Sequence, residues 1–208
     1  MGKNLKVISQ TAAVILAGFA VAILASSIIG AWAFIPLAIV YWTLIFCIVK
    51  PSKNDLKNIF TCPPVHLRYI LLAFAPALFG IVSFAWGLRH VSGAILIAMW
   101  ILFAVVNPVA EELFWRAYLL DNLSWKPIYR IIFSTVMFMI SHLMWGVFSV
   151  TIRSYIMILP LLIMGLTWGY VYHKTQSLKW CVIAHFLVDI MNLSVWVFLN
   201  IYIPPVIQ

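Results

Sequence analysis

Six ionisable side chains interrupt apolar stretches in the second half of the chain, at Glu111, Glu112, Arg116, His142, His185 and Asp189. Glu112 and Arg116 are four residues apart, so on a helix they share a face and can form an ion pair. Glu111 points about 100° away from Glu112 and has no local partner in the sequence. His185 and Asp189 also share the four-residue spacing. We therefore expect Arg116 to neutralise one carboxylate and leave the other free for chemistry.

These side chains are of the types that act as general acids and bases in hydrolysis, where a water must be activated and a leaving group protonated. Metal-assisted hydrolysis is a second possibility, in which Glu111, His142 and His185, with or without Asp189, bind Zn²⁺ and leave one position open. The sequence has no His-Glu-x-x-His pattern, and each zinc ligand would come from a different helix.

An ionisable side chain within a membrane span costs a few kcal/mol, so it usually faces the interior of the helix bundle. Carboxylates and imidazoles on three separate spans are explained together if they converge in one polar pocket. Structural interpretations stay open for each group. The Glu112–Arg116 pair can be a clamp, His142 can be a hydrogen-bonded packing residue, and His185 with Asp189 can tie two helices together.

The overall composition of the chain is far more apolar than that of a soluble protein. Of the 208 residues, 65% are hydrophobic and 9% are charged, and the mean hydropathy is +1.10. A soluble domain is about 45–50% apolar and about 25% charged, so a soluble globule, a disordered tail and a secreted disulfide scaffold are excluded. Cys47, Cys62 and Cys181 show no metal-ligand spacing and are expected to be free thiols. The sequence predicts a multi-span helical membrane protein.

A bilayer core of about 30 Å needs about 20 apolar residues per helix. Residues 1–208 are expected to form one integral membrane domain, an all-α bundle of seven to eight helices. The seven predicted stretches are 7–29, 31–49, 69–88, 92–115, 128–147, 155–172 and 180–201. To match the depth of Glu111 with that of His142, the fourth helix should continue past Arg116 to about Asn122, with a turn at 124–126. Neither broken helices nor internal repeats are expected.

The distribution of basic residues predicts the orientation in the membrane. An N-terminus in the cytoplasm places eleven of the thirteen Lys and Arg residues inside, and only Arg89 and Arg153 outside. Because the basic residues stand singly between apolar runs, the net charge of +8 indicates membrane flanks, and no nucleic-acid partner is expected. The lipid bilayer is the expected partner, and a bacterial cell membrane the expected location.

Tryptophans and glycines in the spans suggest packing roles. The tryptophans are typical of an interfacial aromatic belt, and they include Trp115, Trp125, Trp145, Trp168 and Trp180. Gly165 and Gly169 form a Gly-x-x-x-Gly pattern, which favours close helix packing over a ligand site.

The order of the motifs resembles that of a known family. The pattern E-E-x-x-x-R at Glu111 to Arg116, F-x-x-x-H ending at His142 and H-x-x-x-D from His185 to Asp189 is similar to the CPBP intramembrane proteases. That family includes type II CAAX prenyl endopeptidases and Abi proteins of bacteriocin processing or immunity. The segment GLTWGYVYHKTQSLKWCVIAHFLVD is also similar to the family's stretch before its last motif. Asp189 stands where the prenyl endopeptidases have Asn, as is common in bacterial members.

The resemblance covers about residues 92–195 and implies a catalytic core there. It implies that Glu111 and His142 activate water, while His185 and Asp189 line the oxyanion side. Glu112 and Arg116 would be supporting residues. We favour this metal-free mechanism, with no cofactor, over zinc. Water must reach Glu111, so the cavity is expected to open toward the cytoplasm.

The resemblance implies an intramembrane endopeptidase, and two other classes stay open. One is a membrane immunity or scaffold protein that keeps the fold without catalysis. The other is a small proton-coupled transporter, which would also place Glu and His within the membrane. The substrate is expected to be a peptide or protein, with or without a lipid group, such as a prenylated CAAX terminus or a leader peptide.

Overall fold

The computed structural model describes residues 2–53, 56–57 and 64–207, and within these the chain is helical and contains no strand. Cys62 lies outside the described residues, whereas Cys47 and Cys181 are free thiols as predicted. The helices are α1 (Lys3–Ile29), α2 (Phe34–Val49), α3 (Leu67–Phe74), α4 (Gly80–Gly87), α5 (Ala94–Asn122), α6 (Pro127–Trp145), α7 (Val150–Arg153), α8 (Ile158–Thr175), α9 (Lys179–Met191) and α10 (Ser194–Phe198).

The predicted membrane-spanning helical bundle is confirmed. Five segments in the described part are long and apolar enough to cross a membrane, and they are Lys3–Val49, Leu67–His90, Ala94–Asn122, Pro127–Trp145 and Tyr155–Thr175. The first segment contains both α1 and α2, which a 3-10 turn at Gly30–Ala33 connects. Gly30 has a φ of +57°, a value that a side chain disfavours. The chain is therefore an integral membrane protein.

Helix α5 continues past the ion-pair motif, as predicted. Its α-helical part ends at Glu111, a π-helical segment covers Glu112–Tyr118, and a last α-helical turn ends at Asn122. Pro108 lies within this helix and has no N–H to donate to the preceding turn. The π-helical segment begins four residues later and carries both Glu112 and Arg116. Wide turns of this kind are frequent at functional sites.

The prediction of unbroken spans is wrong for the seventh predicted span. The third is helical throughout and only changes to a 3-10 segment at Ala75–Phe79, which contains Pro76. The seventh ends at Met191, because Leu193 adopts a φ of +51° and its N–H bonds the carbonyl of Ile190. The carbonyl of Asp189 instead accepts from Trp100 Nε1 at 3.3 Å and from Ser194 Oγ at 3.0 Å. These side-chain donors compensate for the lost helical turn.

The predicted interfacial belt is wrong for three of its tryptophans. Trp115 and Trp168 are fully buried, and Trp145 is almost so. Trp168 Nε1 donates to the carbonyl of Ala73 at 2.9 Å, so its polar atom is satisfied inside the bundle. These rings therefore pack around the interior and do not mark the membrane surface.

The predicted packing role of Gly165 and Gly169 is confirmed. A Cβ atom on Gly165 would lie 2.5 Å from Thr135 Cγ2, and one on Gly169 would lie 3.0 Å from Ile131 Cγ2. Both neighbours belong to α6. Helices α6 and α8 can therefore approach closely only because α8 has no side chain at these positions.

We expect Gly165→Ala to destabilise the protein by about 1–3 kcal/mol, because the added methyl group must displace Thr135. Adding Thr135→Ala should recover part of the loss, since it removes the Cγ2 and Oγ1 atoms that the methyl group meets. Thermal unfolding in detergent micelles measures both effects. Gly2→Ala is the control, since a Cβ there meets nothing within 4 Å. Equal stability of Gly165→Ala and the wild type would contradict this account of the packing.

Candidate active site

The imidazole of His185 lies among three carboxylates inside the bundle. Its Nδ1 is 2.9 Å from Glu112 Oε1, and its Nε2 is 3.5 Å from Glu111 Oε2 and 3.7 Å from Asp189 Oδ1. Glu111 and Glu112 therefore share His185 as a partner, although only Glu112 is also paired within α5, to Arg116. Glu111 and Glu112 are adjacent on α5 and project in different directions. The His185 ring of α9 lies between the two carboxylates.

Arg116 balances part of this negative charge. Its Nε is 3.2 Å from Glu112 Oε2, which gives the predicted ion pair, and both side chains are buried. The guanidinium carbon also lies 4.6 Å from the ring centre of Phe138 and 5.4 Å from that of Trp168. Aromatic faces attract a cation that has left water. Arg116 therefore sits behind Glu112, where it supports the carboxylate that holds His185.

Glu111 is held by a chain of hydrogen bonds that the sequence did not reveal. Tyr41 on α2 donates its hydroxyl to Glu111 Oε1 at 2.8 Å, and Trp115 Nε1 donates to the Tyr41 hydroxyl oxygen at 3.0 Å. The other carboxylate oxygen, Oε2, accepts no hydrogen bond within the described part of the chain. One oxygen is thus fixed, while the other is available to a bound molecule.

Asp189 is oriented in a similar way by Asn107. The Asn107 Nδ2 atom donates to Asp189 Oδ2 at 3.2 Å, and its Oδ1 accepts from Trp42 Nε1 at 3.1 Å. Because the indole can only donate and the carboxylate accepts, these two partners fix which way the amide points. Asn107 was missed from the sequence, although it is a polar residue one helical turn before Glu111 on an apolar helix.

His142 is bonded to its own helix. Its Nδ1 lies 2.8 Å from the carbonyl oxygen of Phe138. Since a carbonyl can only accept, Nδ1 carries the proton, and in the neutral ring Nε2 keeps a lone pair. His142 therefore has the form that can accept a proton or bind a metal.

A small cavity joins these groups. It has a volume of about 50 Å³, and its lining includes the side chains of Asn107, Glu111, His142, His185 and Asp189. A cavity of this size with polar groups in its wall can hold water. No group of three or more His, Cys, Asp and Glu side chains among the described residues is spaced to hold a metal ion. The structure thus brings together the four residues that the sequence motifs singled out, from α5, α6 and α9.

The fold and the site define a membrane-embedded helical protein with acid–base groups around a water-sized cavity. The family model described as Rce1-like, type II CAAX prenyl endopeptidase, matches residues 93–191. This segment carries all three motifs, and the predicted resemblance to the CPBP and CAAX protease family is confirmed. Over this segment the chain is similar to CAAX-type intramembrane endopeptidases, a membrane-embedded family that acts on peptides in a lipid bilayer. No curated protein sequence matches the chain significantly, and neither does any solved structure.

The contacts of Arg116 predict a measurable cost for its removal. Arg116→Met keeps much of the apolar contact but leaves the Glu112 carboxylate buried without its cation. We expect the free energy of unfolding to fall by about 3–5 kcal/mol. Glu112→Gln added to that variant should recover most of this loss, because a neutral amide oxygen can still accept from His185.

Thermal unfolding in detergent micelles compares these variants. Lys126→Met, at the N-cap of α6, is a matched control that removes an exposed charge and should change little. A double variant as unstable as Arg116→Met alone would show that the ion pair does not set the stability of this region.

Proposed function

We propose that this protein is an intramembrane endopeptidase that hydrolyses a peptide bond with water activated by Glu111 and His142. The observation that carries the proposal is the convergence of Glu111, His142, His185 and Asp189 on one small cavity. The match to an endopeptidase family over residues 93–191 supports the same reaction class.

Glu111 and His142 are suited to activating the water. The Oε2 atom of Glu111 accepts no hydrogen bond from the described residues, and the neutral His142 ring keeps a lone pair on Nε2. A water in the cavity can donate one proton to the carboxylate and one to the imidazole, which turns its oxygen toward the substrate. The oxygen attacks the peptide carbonyl carbon, while one proton passes to Glu111.

His185 and Asp189 are suited to the oxyanion side of the reaction. His185 Nδ1 donates to Glu112, and a proton on Nε2 makes the ring an imidazolium whose charge faces the cavity. This charge stabilises the oxyanion, while Asp189 keeps the ring oriented. The tetrahedral intermediate then breaks its C–N bond, and the proton from Glu111 moves to the leaving amine. The products are a carboxylic acid and an amine, with one water consumed.

Tyr41 and Asn107 are positioning residues in this scheme. Tyr41 holds Oε1 of Glu111, so that Oε2 faces the cavity, and Asn107 holds Asp189. Side chains placed by a second layer of hydrogen bonds keep the accurate geometry that hydrolysis requires.

Zinc is the alternative for activating the water. Glu111, His142 and His185 are chemically suitable ligands, and a bound zinc ion would lower the pKa of its water. The described residues contain no group with the spacing of a metal site. The mechanism that we favour therefore uses only water and protein groups.

A proton-coupled transporter is a second candidate function, because the seventh predicted span is broken after Met191 and the third changes to a 3-10 segment at Ala75–Phe79. Transporters often bind their substrates at such breaks. An immunity or scaffold protein would keep the bundle but would not need a Glu111 Oε2 atom that accepts no hydrogen bond from the described residues. New peptide termini arise only from the endopeptidase, so a cleavage assay separates the three classes.

The proposed substrate is a peptide or protein segment in a bacterial cell membrane. A prenylated CAAX terminus and a leader peptide both suit the reaction class. The reaction itself needs only a peptide bond that reaches Glu111.

Replacing Glu111 by Gln should lower kcat by about 10²–10⁴-fold, because the amide cannot take the proton of the water. The full chain is placed in liposomes with a mixture of synthetic peptides in ¹⁸O-water, and new C-termini are identified by mass spectrometry. Hydrolysis by the wild type should place ¹⁸O in each new carboxylate.

Asp121→Asn is the matched control for this experiment. Asp121 is another carboxylate on α5, it accepts a hydrogen bond from Tyr172 at 2.6 Å, and it does not line the cavity. Its variant should cleave like the wild type. Unchanged cleavage by Glu111→Gln, or no labelled termini from the wild type, would overturn the proposed function.

The metal-free mechanism predicts that 1,10-phenanthroline leaves the cleavage rate unchanged, and that the active purified protein contains far less than stoichiometric zinc. Elemental analysis of the same sample measures the metal. Stoichiometric zinc that is lost, together with activity, in His142→Ala would establish the metal mechanism instead.

A further inference from the structure

The two ends of the helix bundle differ in charge. At one end, Asn4 Oδ1 accepts from the backbone N–H of Ser124, and Tyr172 donates to Asp121, so the ends of α1, α5 and α8 meet there. We call this the basic end, because eight basic residues lie at or next to the helix termini on this side, namely Lys3, Lys6, Lys50, Arg68, Lys126, Arg130, Lys174 and Lys179.

The opposite end, which we call the far end, is formed by the chain after α6 and after α9. Asn200 Oδ1 accepts from the N–H of Val150, and Ser149 Oγ donates to the carbonyl of Val197. In the described residues, only Arg89 and Arg153 add positive charge here. Since basic residues flank spans on the cytoplasmic side, the orientation predicted from the sequence turns the far end away from the cytoplasm.

The catalytic cavity is closed toward the basic end. Trp115 lies about one turn nearer to that end than Glu111, and Phe138 lies one turn nearer than His142. Both rings are fully buried, and Trp168 stacks on His185 with 4.6 Å between ring centres. The expectation that the cavity opens toward the cytoplasmic, basic end is therefore not met by this packing.

On the side of the far end, the catalytic cavity adjoins a second, larger one. This apolar cavity has a volume of about 270 Å³. Six residues line both cavities, and they are Ile152, Met157, Met164, Val188, Asn192 and Val197. None of the eight residues of the basic end lines either cavity in the described part of the chain.

The rim of the apolar cavity reaches the surface that faces lipid. Phe79 and Leu159 line it and are 53% and 57% exposed. The 3-10 segment Ala75–Phe79, with Pro76, supplies part of this wall. An apolar segment of a substrate can therefore enter this cavity from the membrane. It would then lie close to Asp189, because the preceding residue, Val188, lines both cavities.

We propose that the substrate is a peptide on the extracytoplasmic side of the membrane, whose apolar residues next to the scissile bond occupy the 270 Å³ cavity. This inference rests on the proposed function for the cleavage step. The orientation and the route of access do not depend on it. A cytoplasmic peptide would have to pass Trp115 and Phe138, whereas an extracytoplasmic one meets an apolar cavity that shares walls with the catalytic one.

Thiol labelling in intact bacterial cells tests the route without needing activity. The background carries Cys47→Ser and Cys62→Ser, and the buried Cys181 stays. Ile156→Cys places a thiol on the wall of the apolar cavity, and Lys174→Cys places one at the basic end. A membrane-impermeant maleimide should label Ile156→Cys in intact cells and Lys174→Cys only after the cells are opened. The reverse pattern would overturn the proposal.

Filling the cavity tests its occupant. With a synthetic apolar peptide that the wild type cleaves, Ile156→Trp should raise KM roughly tenfold or more and change kcat little. Ile158→Trp is the matched control, since Ile158 is 52% exposed and does not line the cavity. Equal KM values for both variants would show that the substrate does not use this cavity.

The two possible failures are distinguishable. Labelling as expected without cleavage of any peptide would contradict the proposed function alone. In liposomes, the peptides can be placed on either side of the membrane. Cleavage only of peptides on the side of the basic end, and not of peptides on the side of the far end, would contradict the proposed route alone.

Discussion

The contact on which the structure of this site depends is the one between the His185 imidazole and the carboxylates around it. Glu112 bonds one ring nitrogen, and Glu111 and Asp189 lie near the other. Inside a membrane, each of these groups would be costly alone. They are tolerated because α5 and α9 bring opposite charges within a few ångströms of each other, and because Arg116 adds a cation behind Glu112.

The irregular features of the helices follow from this requirement. The π-helical segment at Glu112–Tyr118 carries both members of the Glu112–Arg116 pair directly after Glu111. The break at Leu193 frees the carbonyl of Asp189, which Trp100 and Ser194 then satisfy. The Gly165 contact with Thr135 brings α8 against α6, and Trp168 of α8 covers one face of His185.

Much of this could be predicted from the sequence, because charged residues in apolar stretches are conspicuous. The ion pair of Glu112 with Arg116 and the packing role of Gly165 follow from spacing alone. The extension of α5 to Asn122 follows from matching the membrane depths of Glu111 and His142. The partners of Glu111 could not be predicted in that way. Tyr41 lies seventy residues before Glu111 in the sequence and belongs to a span without any motif. Trp115 is of a residue type that is typical of the membrane interface. Whether such residues meet a carboxylate is decided by tertiary packing, which spacing along one helix does not report.

The central claim is that Glu111 and His142 together hold a water molecule in the catalytic cavity. An experimental structure of the full chain in lipid, at a resolution that shows ordered water, tests this most directly. The account predicts a water within hydrogen-bonding distance of both Glu111 Oε2 and His142 Nε2, on the cavity side of His185. A His142 ring whose Nε2 faces lipid, or a cavity whose four side chains point apart, would contradict it.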